Sequence, residues 1–185
     1  MKKVSASLSA LLLAGVLTQA QAAPVLQLTS PDVSEGRPLA AAQVFNGMGC
    51  TGGNQSPALN WTNLPAGTKS LAVTAYDPDA PTGSGWWHWL VINLPASVQQ
   101  LAAGAGESDA TLPAGARHMR TDYGQYAWGG PHPPAGHGPH RYQFTVWALP
   151  KALEVKANTP PAMVGYMLNS LALGKATLTA TFTTP

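Results

Sequence analysis

The stretch YDPDAPTGSGWWHW, Tyr76–Trp89, decides the reading of this chain. Two carboxylates, Asp77 and Asp79, precede His88, and Trp86, Trp87 and Trp89 surround that histidine. Pro78 and Pro81 stiffen the acidic end, because proline fixes its own φ. Upstream, Ser70–Tyr76 (SLAVTAY) is nearly all apolar, as expected of a strand covered on both faces. Downstream, Trp87–Asn93 (WHWLVIN) reads the same way. A second cluster, GGPHPPAGHGPHRY at Gly129–Tyr142, runs into the apolar stretch Arg141–Leu149 (RYQFTVWAL). Strands that share one sheet would carry both clusters to one edge, and that edge would be a site.

The rest of the chain supports a β-rich domain. Glycine and proline punctuate many short apolar runs. Tyr142, Phe144, Val146 and Ala148 alternate onto one strand face, and Ala176, Leu178, Ala180 and Phe182 do so near the C-terminus, with threonines opposite. Between these strands, Pro160–Leu173 reads as a helix capped by Thr159, with an apolar stripe of Met163, Val164, Met167, Leu168 and Leu171. Gly174 is the expected C-terminal stop.

The first residues read as a targeting segment. Lys2 and Lys3 precede the apolar run Leu8–Leu17, and Ala20-Gln21-Ala22 supplies a small-x-small cleavage pattern. The expected domains are therefore a signal peptide over 1–22 and a single domain over 23–185, located in the periplasm or secreted. The apolar run is too short for a comfortable membrane span. Removing Lys2 and Lys3 from ten Lys and Arg leaves eight, against eight Asp and Glu. The chain's net charge of +2 thus falls to about zero after the expected cleavage, which offers no basic face for nucleic acid. Cys50 is the single cysteine, so no internal disulfide can form; a small buried hydrophobe is the plainest role for it, and a cross-link between two chains is the alternative if it is exposed.

The chemistry-bearing residues admit structural readings as well. Asp-Pro-Asp alone is an ordinary turn sequence. In extended backbone, the spacing of two could equally aim Asp77 and Asp79 to one side. His88 shares strand parity with Leu90 and Ile92, and His140 shares it with Tyr142. The loop Gly129–Pro134 could leave backbone N–H groups free for an anion, or simply be rigid. His132, His137 and His140 match no standard zinc spacing. There is no G-x-S-x-G elbow, P-loop or H-E-x-x-H, and no positioned nucleophile is evident.

In order and separation, these motifs resemble the phosphatidylethanolamine-binding protein (PEBP) family, and most of all its bacterial Raf-kinase-inhibitor-like branch. The likeness is carried by NQSPALNW (Asn54–Trp61), GTKSLAVTAYDPDAPTGSGWWHWLVINLP (Gly67–Pro95), LPAGA (Leu112–Ala116), GGPHPPAG and HRYQFTVWAL. The resemblance implies a mainly β fold: a β-sandwich with a large central antiparallel-rich sheet and a few peripheral helices. It implies a small anion pocket formed by Asp77, Asp79, His88, Gly130, His140 and Tyr142, with Pro81 and His132 as neighbours. It also suggests a cis Ala80–Pro81 bond. Relatives often carry GGPCPP and pair that cysteine with one placed like Cys50. Here His132 stands instead, and the cross-link is lost.

The expected function is a non-enzymatic binding protein for a small anionic or phosphorylated ligand, needing no cofactor and no metal. Regulation or inhibition of another protein, such as a protease, is the alternative. A hydrolase using the Asp, His and Tyr groups is a weaker one. A homodimer is a further partner class, and a transmembrane segment is not expected.

Overall fold

The computed structural model describes residues 25–184, so the expected signal segment lies outside the described residues. Among the described residues, ten strands and one α-helix follow in chain order. They are β1 (Gln27–Thr29), β2 (Asn46–Gly47), β3 (Cys50–Thr51), β4 (Leu59–Thr62), β5 (Ser70–Asp77), β6 (Trp86–Pro95), β7 (Gln100–Leu101), β8 (Arg117–His118), β9 (His140–Leu149), α1 (Pro161–Leu171) and β10 (Gly174–Phe182). A short 3-10 turn, Asp109–Thr111, precedes β8.

The main sheet has the order β10-β9-β5-β6-β8, with every pairing antiparallel. A three-stranded sheet, β1-β4-β7, packs across one of its faces. The central strand β5 is buried on both sides, which is why its sequence shows no polar alternation. Leu71, Val73 and Ala75 enter the core between the sheets, with Trp61, Trp89, Phe144 and Val146. Ala72 joins the second core under α1, with Leu90, Ile92, Trp147, Val164 and Leu168. The sandwich expectation holds.

The helix differs in detail. Pro160 is extended, with φ −56° and ψ 141°, and no side chain caps the end. A residue before proline is pushed out of the α region, so Pro161 sets the start and Thr159 plays no capping role. Met163 lies outside the apolar stripe and is half exposed. Gly165 sits in it instead, where a Cβ would come within 2.5 Å of the Trp87 ring. Ala172 closes the helix through its N–H to Leu168 O, and Gly174 already begins β10. No cis peptide bond occurs among the described residues, contrary to the expectation at Ala80–Pro81. The Thr82 N–H instead reaches Ala80 O at 2.8 Å, folding a tight turn around Pro81.

Register at His88 is the feature that shapes the site. Ala75 pairs with Trp89, while the next residue, Tyr76, pairs with Trp87. His88 is the extra residue of a β-bulge. It and Trp89 both turn toward the inter-sheet side, and Trp87 and Leu90 toward the helix side. The expected parity of His88 with Leu90 and Ile92 is therefore reversed, and His88 joins the face that carries Tyr142.

Candidate functional site

A cavity of about 370 Å³ opens at the end of β5, β6 and β9. Asp77, His88, His140 and Tyr142 line it, as do Pro81 and His132. Tyr142 is placed by the alternation of β9, and His140 by the same parity at the start of that strand. The strand ends thus bring together four of the six residues expected in the pocket. Asp79 and Gly130 are not on its wall.

Asp77 and His140 form the buried heart of the site. Asp77 Oδ2 accepts from His140 Nδ1 at 2.8 Å, and both side chains are 3% exposed. The second carboxylate oxygen accepts the Asp79 N–H at 2.8 Å. A fully hydrogen-bonded carboxylate can be buried without the heavy penalty of a bare one.

Asp79 goes elsewhere. It clamps Arg141 outside the cavity, accepting from Nε at 2.9 Å, from Nη2 at 2.7 Å and from the Arg141 backbone N–H at 2.9 Å. The guanidinium hydrogen bonds hold the Asp79 carboxyl at about 2, well below the usual range. The implied pocket role of Asp79 is corrected: of the two aspartates only Asp77 meets a histidine. The turn after Asp77 reverses the chain before Asp79 can share its side.

His88 donates from Nδ1 to Gly129 O at 2.7 Å, which leaves Nε2 as a lone pair. Burial pushes its pKa down to about 4, so the ring is neutral at pH 7. Tyr123 and Tyr142 stand edge-on to this ring, at 5.5 and 5.1 Å between centroids. Burial pushes the Tyr142 hydroxyl well above its ordinary range, so it stays protonated. It has no hydrogen-bond partner, and neither does Trp86 Nε1; both groups are buried, and both residues line the cavity.

The glycine loop does not form a free nest. The Gly129 N–H donates to His88 O at 3.0 Å, and the Gly130 N–H donates to Asn54 Oδ1 at 2.8 Å. Gly130 O accepts from the Tyr123 hydroxyl at 3.0 Å. Gly130 matters here for space: a Cβ would overlap the backbone of Gln43 and Phe45. The loop's other ties are the Phe45 N–H to Pro131 O at 3.1 Å and Cys50 Sγ to His132 Nδ1 at 2.7 Å. Cys50 is half-buried and polar-bonded, not the buried hydrophobe expected of it.

Sequence reasoning did not place Trp86 or Tyr123 on the cavity wall, nor Asn54 behind the Gly130 loop. Trp86 stood in the deciding motif, and β6 carries it to the wall. Tyr123 and Asn54 arrive from loops through tertiary packing, Tyr123 by stacking on Phe45 at 4.6 Å. His137 is exposed, its ring 5.7 Å from that of His140. Among the described residues no three His, Cys, Asp or Glu side chains gather as metal ligands.

Comparison with known proteins agrees with this architecture. The family model for phosphatidylethanolamine-binding protein matches residues 29–183. The UPF0098 protein YbcL of Escherichia coli is 51% identical over 172 residues, covering 92% of this chain and 93% of that protein. The putative lipoprotein LppC of Mycobacterium tuberculosis is 34% identical, covering 89% of this chain and 76% of that protein. The crystal structure of E. coli YbcL superposes with a TM-score of 0.85 at 49% identity, covering 88% of this chain and all of that one. Carboxypeptidase Y inhibitor, solved with its cognate proteinase, shares the fold at 17% identity and a TM-score of 0.53, with 88% and 84% covered. The chain belongs to the phosphatidylethanolamine-binding protein family.

Proposed function

We propose that this protein is a non-enzymatic binding module that takes a phosphomonoester, or hydrogen phosphate itself, in the cavity beside Asp77 and His140. The observation that carries the reading is the pair of unsatisfied donors. Tyr142 Oη and Trp86 Nε1 are buried without partners on residues of one wall. A buried donor left unpaired costs about 1–3 kcal/mol, which a bound acceptor recovers. His88 adds the opposite function, since its Nε2 is an acceptor. Two donors and one acceptor suit a monoprotonated phosphate, whose O–H meets His88 while its oxyanions meet Tyr142 and Trp86. The cavity wall carries no free arginine or lysine, so a dianion is disfavoured. Pairing with Asp77 fixes the His140 ring on the cavity wall.

Calorimetric titration with O-phosphoethanolamine and with inorganic phosphate tests this reading. A phosphomonoester loses its second proton near pH 6. Affinity should therefore rise as pH falls from 8 to 6, and fade again as His88 itself protonates near 4. Tyr142→Phe should cost about 1.5–3 kcal/mol of binding, the value of one charge-assisted bond, and His140→Ala a similar amount. Equal binding by wild type and both variants would place the ligand elsewhere.

Export belongs to the same proposal. Lys2, Lys3, Leu8–Leu17 and Ala20-Gln21-Ala22 support it, as does the description of one 34%-identical relative as a lipoprotein. The exported form should begin at Ala23 on N-terminal sequencing. A mature chain that retains Leu8–Leu17 would overturn it.

A further inference from the structure

Trp86 and Trp87 are neighbours in the deciding motif, and β6 sends them to opposite faces of the main sheet. Trp86 lines the cavity described above, whereas Trp87 lines a second, open groove of about 630 Å³ on the helix side, between α1 and strands β10, β9, β5 and β6. Tyr76 and Asp77 divide in the same way at the end of β5. The two cavities share no lining residue, so the groove takes no part in the phosphate reading. Its volume falls within the roughly 300–1,000 Å³ of ordinary ligand pockets. Its rings are held before anything binds. Tyr76 and Trp87 lie with centroids 4.5 Å apart and 40° between their planes. The Tyr76 hydroxyl donates to Ser84 O at 2.8 Å, and the Trp87 ring packs against α1 at Gly165. Tyr166 of α1 adds a third ring, 68% exposed.

The rest of the lining is polar and almost uncharged. Gln143 and Thr145 of β9 and Thr177 of β10 face the groove, and the two threonine hydroxyls share a hydrogen bond of 2.9 Å. Each hydroxyl keeps further donor or acceptor capacity, and the half-buried Gln143 amide offers one donor and one acceptor side. No carboxylate lines the groove. Lys175 is the one charged residue there, and its ammonium is already engaged, by Asn169 Oδ1 at 3.0 Å and by the Trp147 ring at 4.6 Å. This lining excludes several occupants. A hydrocarbon would strip water from hydroxyls and an amide without replacing it. A nucleic acid needs a row of cations. A peptide strand needs a free backbone edge, and β9 and β5 on the floor are each paired on both sides.

We infer that this groove binds a short, uncharged saccharide chain, stacked on Tyr76, Trp87 and Tyr166 and hydrogen-bonded by Gln143, Thr145 and Thr177. A pyranose presents what the lining asks for: an apolar C–H face for an aromatic ring, and a rim of hydroxyls that both donate and accept. A ring whose hydroxyls are all equatorial has such a face on both sides, so β-linked glucose units fit a groove with several rings best. The rigid setting of Tyr76 and Trp87 lowers the ordering cost of binding.

The test is a titration of the nitrogen-15-labelled mature protein with cellotriose, read on the indole N–H signals of the tryptophans. The Trp87 signal should move and saturate, while the Trp86 signal stays. Tyr166→Ala and Gln143→Ala should each weaken the fitted affinity by roughly two- to tenfold. Tyr166 is exposed and Gln143 only half-buried, so both variants should fold, and circular dichroism checks this. Sorbitol carries similar hydroxyls without a ring face and should leave Trp87 unmoved. A Trp87 signal that ignores cellotriose, or that sorbitol moves equally, would overturn the site. Affinity unchanged in both variants would overturn it as well. O-phosphoethanolamine, titrated separately, reports on the phosphate reading through Trp86, because Trp87 does not line that cavity.

Discussion

Asp77 and Asp79 stand two residues apart, and their partners His140 and Arg141 are neighbours in the chain. The two pairs look alike in the sequence and do different work. Asp77–His140 is buried, with both side chains 3% exposed, and forms the wall of a cavity. Asp79–Arg141 lies outside, with the arginine 54% exposed, and ties the turn after β5 to the start of β9. The difference follows from desolvation. A buried carboxylate must have all its hydrogen bonds supplied by protein, whereas an exposed one is also served by water. The inner pair therefore bears on stability and ligand binding, and the outer pair on local geometry.

The sharpest way to separate the two regions is pH. Burial holds His88 at about 4, below its unfolded value near 6.5. Between those values the unfolded chain binds more protons than the folded one. Stability is therefore complete above pH 6.5 and falls as the pH drops toward 4. The full loss is about 3 kcal/mol, from some 1.4 kcal/mol per unit. Asp79 is also depressed, to about 2, so its contribution is present above pH 4 and is lost only between about 4 and 2. Urea unfolding at pH 7, 5 and 4 should show the loss already by pH 4. His88→Gln should flatten the profile between 7 and 4. An unchanged slope in that variant would mean that another group carries the dependence.

Next in size is Asp77→Asn. It keeps the shape and removes the charge that faces His140, and should cost about 1–3 kcal/mol at pH 7 in the same assay. A neutral outcome would mean that the inner pair is no more demanding than the outer one. Asn54→Ala comes third. It removes the acceptor of the buried Gly130 N–H, worth about 1 kcal/mol, and leaves that amide unpaired. If Gly130 bound ligand through its N–H, Asn54→Ala would tighten phosphate binding; weaker or equal binding is expected. The smallest effect is that of Asp79→Asn, which should leave the melting temperature at pH 7 within about 2 °C of wild type. A larger fall would show that the outer clamp holds the cavity together.

Much of this was legible in the sequence, for reasons tied to period. The unbroken apolar run of Ser70–Tyr76 announced a strand covered on both faces, and the alternation from Tyr142 to Ala148 placed His140 and Tyr142 together. What escaped depends on partners that a single segment does not reveal. The bulge that turns His88 toward Tyr142 arises from pairing with β5. The Gly130 N–H looked free because its acceptor, Asn54, lies 76 residues away. Asp79 looked equivalent to Asp77 until the turn and Arg141 separated them. The helix start failed for a local reason: consecutive prolines moved it past Thr159.

The account rests on a neutral His88 that presents Nε2 to a ligand beside the Asp77–His140 pair. Nitrogen-15 NMR of the histidine rings, recorded from pH 8 to 4 with and without O-phosphoethanolamine, tests this most directly. The account predicts that His88 keeps its proton on Nδ1 and stays neutral down to about pH 4. It also predicts that the Nε2 resonance moves when ligand is added at pH 6. A His88 that titrates near 6.5, or whose Nε2 signal ignores saturating ligand, would contradict it.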